Sequence, residues 1–306
     1  MGALLALASA ACYGIVDFAG GLLSRRIHFT VVTFLGQIGG LLLALVIALA
    51  VPAEAVRFAD VAWGALSGVG SAVAMQFLNR GLSRGAMSVV IPVSAVTGVA
   101  LSVLCGVLFL GDRPTPLAWL GICVTVPALW LVSAGGAAGG SGEGSAGGGD
   151  GAAPSARVPV DGLIASAGVA VQYIGLAQAG AASGVWPVAA GRLAAVFLLL
   201  PNACRYAAAL RRPGPGAGPG PKPGAGPAGL PGLALAVLIG AGAALGLILY
   251  FWATQQQMLA VAVVLASLYP AVPTALGLAV LGERVTRAQT RGLVGAVAAV
   301  VLLTLG

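Results

Sequence analysis

Charge is scarce in this chain of 306 residues, where Asp, Glu, Lys and Arg make up only 8%. An average soluble domain carries roughly 25% charged residues. Hydrophobic residues make up 59% of the chain, and its mean hydropathy is +1.03. A soluble protein of this length cannot hide so much apolar surface from water. The composition therefore excludes an ordinary soluble domain and predicts a protein whose partner is the lipid bilayer.

Histidine and cysteine are also few. His28 is the single histidine, and the four cysteines lie in apolar runs with no CxxC or Cys/His spacing. Structural metal sites and disulfide frameworks need such clusters, so we predict neither, and we expect no cofactor. The net charge of +7 comes from arginines at the ends of apolar runs. This placement is typical of anchors at the membrane interface and does not favour nucleic-acid binding.

Long apolar runs are abundant, and ten of them approach the roughly 20 residues that a membrane span needs. They cover about 2–23, 31–51, 61–80, 86–110, 116–134, 161–181, 186–205, 232–253, 260–281 and 288–305. The first run lacks a basic leader, so we interpret it as a retained helix. A Gly/Ala/Ser-rich stretch, 135–159, is predicted to be a flexible linker, and the Pro/Gly-rich stretch 211–231 a disordered loop. The fold class is thus an all-α membrane protein with about ten transmembrane helices.

One short charged motif occurs twice. Leu110-Gly111-Asp112-Arg113-Pro114-Thr115 returns 171 residues later as Leu281-Gly282-Glu283-Arg284-Val285-Thr286. Each copy separates the last two apolar runs of its half. The chain therefore divides into two five-helix repeats, 1–134 and 160–306. Because five is odd, two such repeats must cross the membrane in opposite senses, which is the inverted repeat of many secondary transporters.

These features resemble the EamA branch of the drug/metabolite transporter superfamily. Tyr13-Gly14, Arg192 and Tyr269-Pro270 fit that pattern, whereas Gln37 replaces the arginine in the first half and Val99 stands where the second half has Pro270. The resemblance implies a secondary permease, commonly an efflux transporter, for small metabolites such as amino acids or for drugs. The chain also has no GxxxxGK[ST] loop for ATP.

Two ionisable residues inside predicted spans are the first candidates for a site, because a charge in a span costs about 2.5–3.5 kcal/mol on insertion scales. Asp17 is a candidate for binding a cation or the coupling proton; the alternative is an interface anchor near Arg25 and Arg26. Arg192 is a candidate for binding an anionic group of the substrate. The alternatives for Arg192 are a structural bridge to Asp17 and a side chain that extends to the interface.

The other candidates are polar or aromatic residues of the predicted spans, which we expect around a central cavity between spans 1, 2, 3, 6, 7 and 8. They are Gln37, Gln76, Asn79, Tyr13, Gln172, Tyr173, Trp252, Gln256 and Tyr269. Tyr and Trp near span ends also form the interface belt, so the aromatic residues have that alternative role. Pro92, Pro270 and Pro273 are candidate hinges or packing features.

The orientation stays open at this point. Loops after odd-numbered spans hold twelve basic residues: Arg25, Arg26, Arg80, Arg84, Arg157, Arg205, Arg211, Arg212, Lys222, Arg284, Arg287 and Arg291. Loops after even-numbered spans hold two, Arg57 and Arg113. The positive-inside rule then puts both termini outside, whereas the resemblance implies that both lie inside the cell.

Two other classes of function compete with the transporter. A membrane sensor or assembly subunit is disfavoured because no sizeable extramembrane domain is predicted. A membrane-embedded enzyme is disfavoured further, since such enzymes use clusters of His, Asp or Glu and this chain has one His and eight acids. One chain holds both halves, so a monomer in the cell membrane is sufficient for transport, and an oligomer stays open.

Overall fold

The computed structural model describes residues 1–24, 27–83, 100–108, 111–139, 157–211, 229–269, 271–272, 276 and 287–305. In these ranges every regular element is helical. The helices are α1 (Gly2–Ser24), α2 (Phe29–Ala50), α3 (Phe58–Ser83), α4 (Pro116–Gly139), α5 (Arg157–Ala177), α6 (Trp186–Arg211), α7 (Leu230–Thr254), α8 (Leu259–Ala266) and α9 (Arg287–Leu305). Residues 100–108 are also helical, and a single 3₁₀ turn occupies Ala181–Ser183.

Five helical segments are long and apolar enough to cross a membrane. They are Gly2–Gly20, Thr30–Ala50, Phe58–Phe77, Trp186–Ala208 and Leu230–Thr254. Large apolar side chains on these helices point away from the protein, as Leu49 does with 74% of its surface exposed. Exposed leucine on a long apolar helix is stable in lipid and costly in water. The chain is therefore a multi-pass membrane protein.

Helices from the first part of the chain pack mainly against helices from the second part. In the first part, α1 and α2 pack against α7, and α3 packs against both α5 and α6. Helices α2 and α6 also touch each other, and α4 packs along α9. Most helix pairing thus joins residues before 140 to residues after 156.

Glycine lets these helices approach until their backbones touch. A Cβ placed on Gly240 of α7 would overlap the carbonyl group of Gly36 on α2, and one on Gly68 of α3 would overlap the carbonyl of Gly191 on α6. Small residues at such crossings allow close packing in lipid, where no hydrophobic effect drives helices together. We call these two crossings the glycine seams.

The main apolar core surrounds the short helix α8. All eight of its residues are buried, and Tyr250 and Phe251 of α7 pack beside it with at most 1% of their surface exposed. At Leu268 the backbone hydrogen bond spans three residues instead of the four of an α-helix, because the Leu268 N–H donates to the Leu265 carbonyl. The next position is Pro270, which has no N–H to continue an α-helix. The predicted ninth span, 260–281, is therefore not a continuous helix in its described part.

The repeated charged motif has a structural role at its first copy. Gly111 has a φ of 76°, in the left-handed region that glycine adopts without strain. The Thr115 hydroxyl accepts a hydrogen bond of 3.1 Å from the Ala118 N–H and so caps α4. Asp112 Oδ2 accepts 2.8 Å from the N–H of Ala260 in α8. Asp112 of the motif therefore joins the two parts of the chain. Its second copy, Leu281–Thr286, lies outside the described residues.

Several predicted boundaries need correction. The predicted linker 135–159 is helical at both ends, because α4 continues to Gly139 and α5 begins at Arg157. The sixth predicted span, 161–181, begins and ends four residues too late, since Gln178–Gly180 form a turn. Arg211 and Leu230-Pro231, assigned to the second loop, belong to α6 and α7. The remaining linker, 140–156, and loop, 212–228, lie outside the described residues, as do Pro92, Pro270 and Pro273.

Several connections between helices meet on one side of the bundle. Ala55 and Arg57 hydrogen-bond to Ala182 and Ser183. Gln255 of the α7–α8 connection donates to the Ala179 carbonyl at 3.0 Å. Gly2 at the start of α1 lies against Gln256 and Gln257. We call this side, formed by 51–57, 111–115, 178–185 and 255–258, the terminal face, because α1 begins there and the end of α9 packs beside Gly121.

Candidate functional site

Arg192 lies at the centre of the bundle, in the second turn of α6. Only 6% of its surface is exposed. Its Nη1 donates 3.1 Å to Gln37 Oε1 on α2, and its Nη2 donates 3.0 Å to the carbonyl of Ala243 on α7. The guanidinium therefore ties three helices together with two charge-assisted hydrogen bonds.

Gln37 is the matching residue of the first half. The sequence aligns Gly36-Gln37 with Gly191-Arg192. The structure places both side chains face to face, with 6% of each exposed. Gln37 offers an acceptor without adding a second positive charge, so the pair avoids the repulsion that two arginines would suffer here.

Two polar atoms beside this pair have no partner. Arg192 Nε and Tyr13 Oη are both buried without a hydrogen bond. The Tyr13 hydroxyl lies close enough to the guanidinium for an electrostatic interaction, although it misses hydrogen-bonding geometry. The Arg192 side chain passes over Gly40, where a Cβ would stand 3.3 Å from Arg192 Cδ. No acidic side chain of the described residues pairs with Arg192, and a buried charge without a counter-charge is costly, so this part of the structure is electrostatically suited to an anion.

A cavity opens beside the pair, between α2, α3 and α6. Gln37, Ser67, Ser71, Val188 and Arg192 are among its lining residues. It has room for about one water molecule. The pair thus borders a mostly apolar pocket that is too small for a metabolite in this arrangement of the helices.

The aromatic candidates form two pairs. Tyr13 lies 6.3 Å from Tyr269, measured between ring centroids, with the rings tilted by 57°. Tyr173 and Tyr250 lie 4.6 Å apart, and the Tyr250 hydroxyl donates 3.3 Å to the Tyr173 carbonyl. The first pair lies beside Arg192, because the Tyr13 hydroxyl interacts with the guanidinium. The second pair is packed into the main core.

Asp17 stands apart from Arg192. Its side chain is exposed on the protein surface, one turn along α1 from Tyr13. Among the described residues no hydrogen bond or ion pair joins it to Arg192, so this structure does not contain the structural bridge that was one alternative for Arg192. In lipid an exposed carboxylate on a spanning helix has no water to solvate it. Arg25 and Arg26, the alternative partners, lie outside the described residues.

The remaining candidates do not lie together in the structure. Gln76 is exposed on α3 and accepts 2.6 Å from Asn202 on α6, so it is not part of the arginine pocket. Gln172 offers its backbone carbonyl to Ser67 at 2.8 Å. Trp252 packs against the main core, and Gln256 is exposed on the terminal face. The side chain of Asn79 lies outside the described residues.

The sequence interpretation missed two groups of residues. Ser67 and Ser71 line the pocket, but serine is common in membrane helices and their positions carry no distinctive pattern. Asp60 is buried at the start of α3, where its carboxylate accepts hydrogen bonds from the second half. The rarity of acids was a usable signal for Asp60, because only eight occur in the chain.

Comparisons with known proteins agree with the resemblance. The sequence profile of the EamA-like transporter family, part of the drug/metabolite transporter superfamily, matches residues 1–134. No curated protein matches the chain. Twenty-one chains of solved structures match. One of them, a crystal structure, covers 99% of this chain and 96% of that chain with a TM-score of 0.64 at 18% identity, which shows a shared fold alone.

Proposed function

We propose that this chain, whose residues 1–134 belong to the EamA-like transporter family, is a secondary transporter that exports small metabolites or drugs across the cell membrane. It works by alternating access: the bundle opens to one side of the membrane and then to the other, around a site between its halves. Amino acids are among the substrates to test first. One chain contains both halves, so a monomer is sufficient.

The helix pairing supports an inverted repeat. If α1, α2 and α3 correspond to α5, α6 and α7, exchanging the halves turns the α1–α7 contact into α5–α3 and the α2–α7 contact into α6–α3, and all four contacts occur. The α2–α6 and α4–α9 contacts map onto themselves. The end of α2 and the beginning of α6 lie on the terminal face, so these corresponding helices run in opposite directions.

The Gln37–Arg192 hydrogen bond is the observation that carries the proposal. Aligned residues of the two proposed halves meet at 3.1 Å on the helices α2 and α6, whose contact maps onto itself when the halves are exchanged. Transporters built from inverted repeats bind their substrates at such a meeting point. We assign Arg192, Gln37 and Tyr13 to the substrate site, with Ser67 and Ser71 at its wall.

Asp17 is proposed as the residue that couples transport to protons. It is the single acid in α1, it lies one turn from Tyr13, and it has no ion pair with another described residue. A carboxylate within a span gains from taking a proton, because protonation removes a charge from lipid. Protonation and deprotonation of Asp17 therefore fit a cycle in which the substrate site opens first to one side of the membrane and then to the other.

The test is metabolite export from cells that express the protein, measured by mass spectrometry of the medium. Wild type is compared with Arg192→Ala and Asp17→Asn at equal membrane abundance. Arg113→Ala is the matched control, since it removes an exposed arginine outside the pocket. A compound enriched by wild type and by Arg113→Ala, and lost with Arg192→Ala, supports the proposal. Equal export by all variants would contradict the assignment of Arg192, and an Asp17→Asn protein that keeps its pH dependence would remove the coupling role.

A further inference from the structure

We propose that Asp60, Gly180 and Ser183 form a latch that holds the terminal face closed and must open during the transport cycle. This inference rests on the proposed alternating access. The Asp60 carboxylate accepts 2.9 Å from the Gly180 N–H and 2.6 Å from the Ser183 hydroxyl. Asp60 belongs to α3 in the first half, whereas Gly180 and Ser183 belong to the α5–α6 connection in the second half. The latch therefore joins the two halves directly.

Ser183 is the centre of the latch. Its oxygen accepts 3.1 Å from the Arg57 N–H and lies 3.1 Å from the Ala55 carbonyl. A hydroxyl has a single proton, and the shorter, charge-assisted contact to Asp60 takes it. A backbone hydrogen bond of 3.1 Å from Ala55 to Ala182 lies alongside. Thus the α2–α3 connection is bound to the opposite half at Ala55 and Arg57.

Asp112 supplies a second, independent tie on the same face. Its carboxylate accepts 2.8 Å from the Ala260 N–H at the start of α8, 148 residues away in the other half. Asp60 and Asp112 are two of only eight acids in the chain. Asp60 accepts hydrogen bonds from a backbone N–H and a hydroxyl of the opposite half, and Asp112 accepts one from a backbone N–H of the opposite half. The terminal face is therefore closed by hydrogen bonds between halves, which separate when that face opens.

These bonds suit a reversible closure because they are polar and lie at the membrane edge. Parting an apolar interface would expose it to water, whereas a carboxylate, a hydroxyl and backbone N–H groups are solvated by water once the face opens. The Gly184 φ of 53° sets the turn that presents Ser183 to Asp60. The pocket with Arg192 lies one to two helical turns below this latch, since Pro187 and Val188 line it.

The test measures access to the pocket and needs no substrate. Cys12, Cys105, Cys123 and Cys204 are first replaced by serine, and Val188→Cys then places one thiol at the pocket, where Val188 is 1% exposed. Labelling by a small membrane-impermeant methanethiosulfonate is followed in vesicles, with reagent applied to each side in turn. Asp60→Ala is compared with Glu54→Ala, which removes an exposed acid from the same connection.

We expect Asp60→Ala and Ser183→Ala to raise the labelling rate from the terminal face about tenfold or more, because each removes a charge-assisted bond that favours the closed form. Glu54→Ala leaves the rate unchanged. Asp112→Ala raises it as well, with Arg113→Ala as its control. An Asp60→Ala protein that folds but labels at the wild-type rate would overturn the latch; if Asp60→Ala does not fold, an unchanged rate in Ser183→Ala does so.

The two proposals fail differently. Faster labelling in the latch variants without any exported compound removes the transporter and keeps a latch that controls access to the pocket. Export by wild type with an unchanged labelling rate in the latch variants keeps the transporter and removes the latch.

Discussion

Gln37 and Arg192 lie 155 residues apart in the chain and share one hydrogen bond of 3.1 Å between α2 and α6. The sequence aligns Gly36-Gln37 with Gly191-Arg192, so the two residues correspond in the predicted halves. Arg192 supplies a permanent positive charge and Gln37 a neutral amide, so the pair is chemically asymmetric.

Replacing Gln37 by alanine should destabilise the protein. The substitution leaves Arg192 Nη1 buried without an acceptor, and a hydrogen bond to a charged group contributes about 1.5–3 kcal/mol. We expect a clearly lower melting midpoint in detergent. Gln76→Ala is the control, because the Gln76–Asn202 bond is exposed and worth about 0.5–1.5 kcal/mol. Equal shifts for the two variants would show that Arg192 does not depend on Gln37.

Gly240→Ala should disrupt the seam between α2 and α7. The new Cβ overlaps the Gly36 carbonyl, so the helices must move apart, and overpacking typically costs about 1–3 kcal/mol. The measurement is the yield of monodisperse protein and its melting midpoint. Gly20→Ala is the control, since its Cβ meets only Ile239 at 3.7 Å. A Gly240→Ala protein as stable as Gly20→Ala would contradict the seam.

His28 should titrate below its ordinary range. Burial lowers the pKa of His28 from 6.5, and its Nδ1 accepts a hydrogen bond of 3.3 Å from the Thr30 N–H, which requires the neutral ring. The unfolded chain then binds a proton more readily than the folded one. Stability from this residue is present above pH 6.5 and is lost as the pH falls below that value.

The titration is directly measurable because His28 is the single histidine of the chain. Histidine-labelled protein in nanodiscs gives one set of ring signals, whose midpoint should lie below pH 6.5. The melting temperature of the wild-type protein should decrease as the pH is lowered from 7 to 5. The His28→Asn variant, which keeps an acceptor at the helix start, should show a smaller decrease. A midpoint at or above pH 6.5 is inconsistent with a lowered pKa.

The charge distribution predicts that the terminal face lies outside the cell. That face carries Arg57 and Arg113, whereas the loops of the opposite side carry twelve basic residues. A reporter that is active only in the cytoplasm should be inactive when fused after Gly306 and active when inserted at Gly218. The reverse pattern would agree with the orientation that the family resemblance implies.

Helix content was predictable, since the length of the apolar runs specifies it, whereas the division into two halves stays a prediction. All ten predicted runs contain helix in their described parts, but exact ends were not predictable. For example, the start of α5 at Arg157 includes Pro159 and Asp161, which interrupt the apolar pattern. Resemblance to the EamA family through Leu110–Thr115 is confirmed for residues 1–134. The ten-span count and the inverted repeat stay predictions.

The site was only partly predictable. Gln37, Arg192 and Tyr13 could be nominated because polar groups in apolar runs are rare. Their meeting could not be deduced, since it depends on how α1, α2 and α6 cross. The same criterion selected Gln76, which pairs with Asn202 at the edge of the bundle, because polarity in a sequence does not reveal which side of a helix faces the centre. Asp60 escaped notice since it lies where a helix begins, a position that suits any acid.

The glycine seams also bear on how the bundle moves. Where side chains interlock, two helices can shift only by jumping from one packing arrangement to another. The backbones that meet at Gly36 and Gly240, and at Gly68 and Gly191, have no interlocking side chains. The two helices at each crossing can therefore rotate against each other without changing their packing arrangement. The seams flank the Gln37–Arg192 pair on both sides. Rotation about them changes the helix ends most and the pair least, so the centre keeps its shape while either end opens.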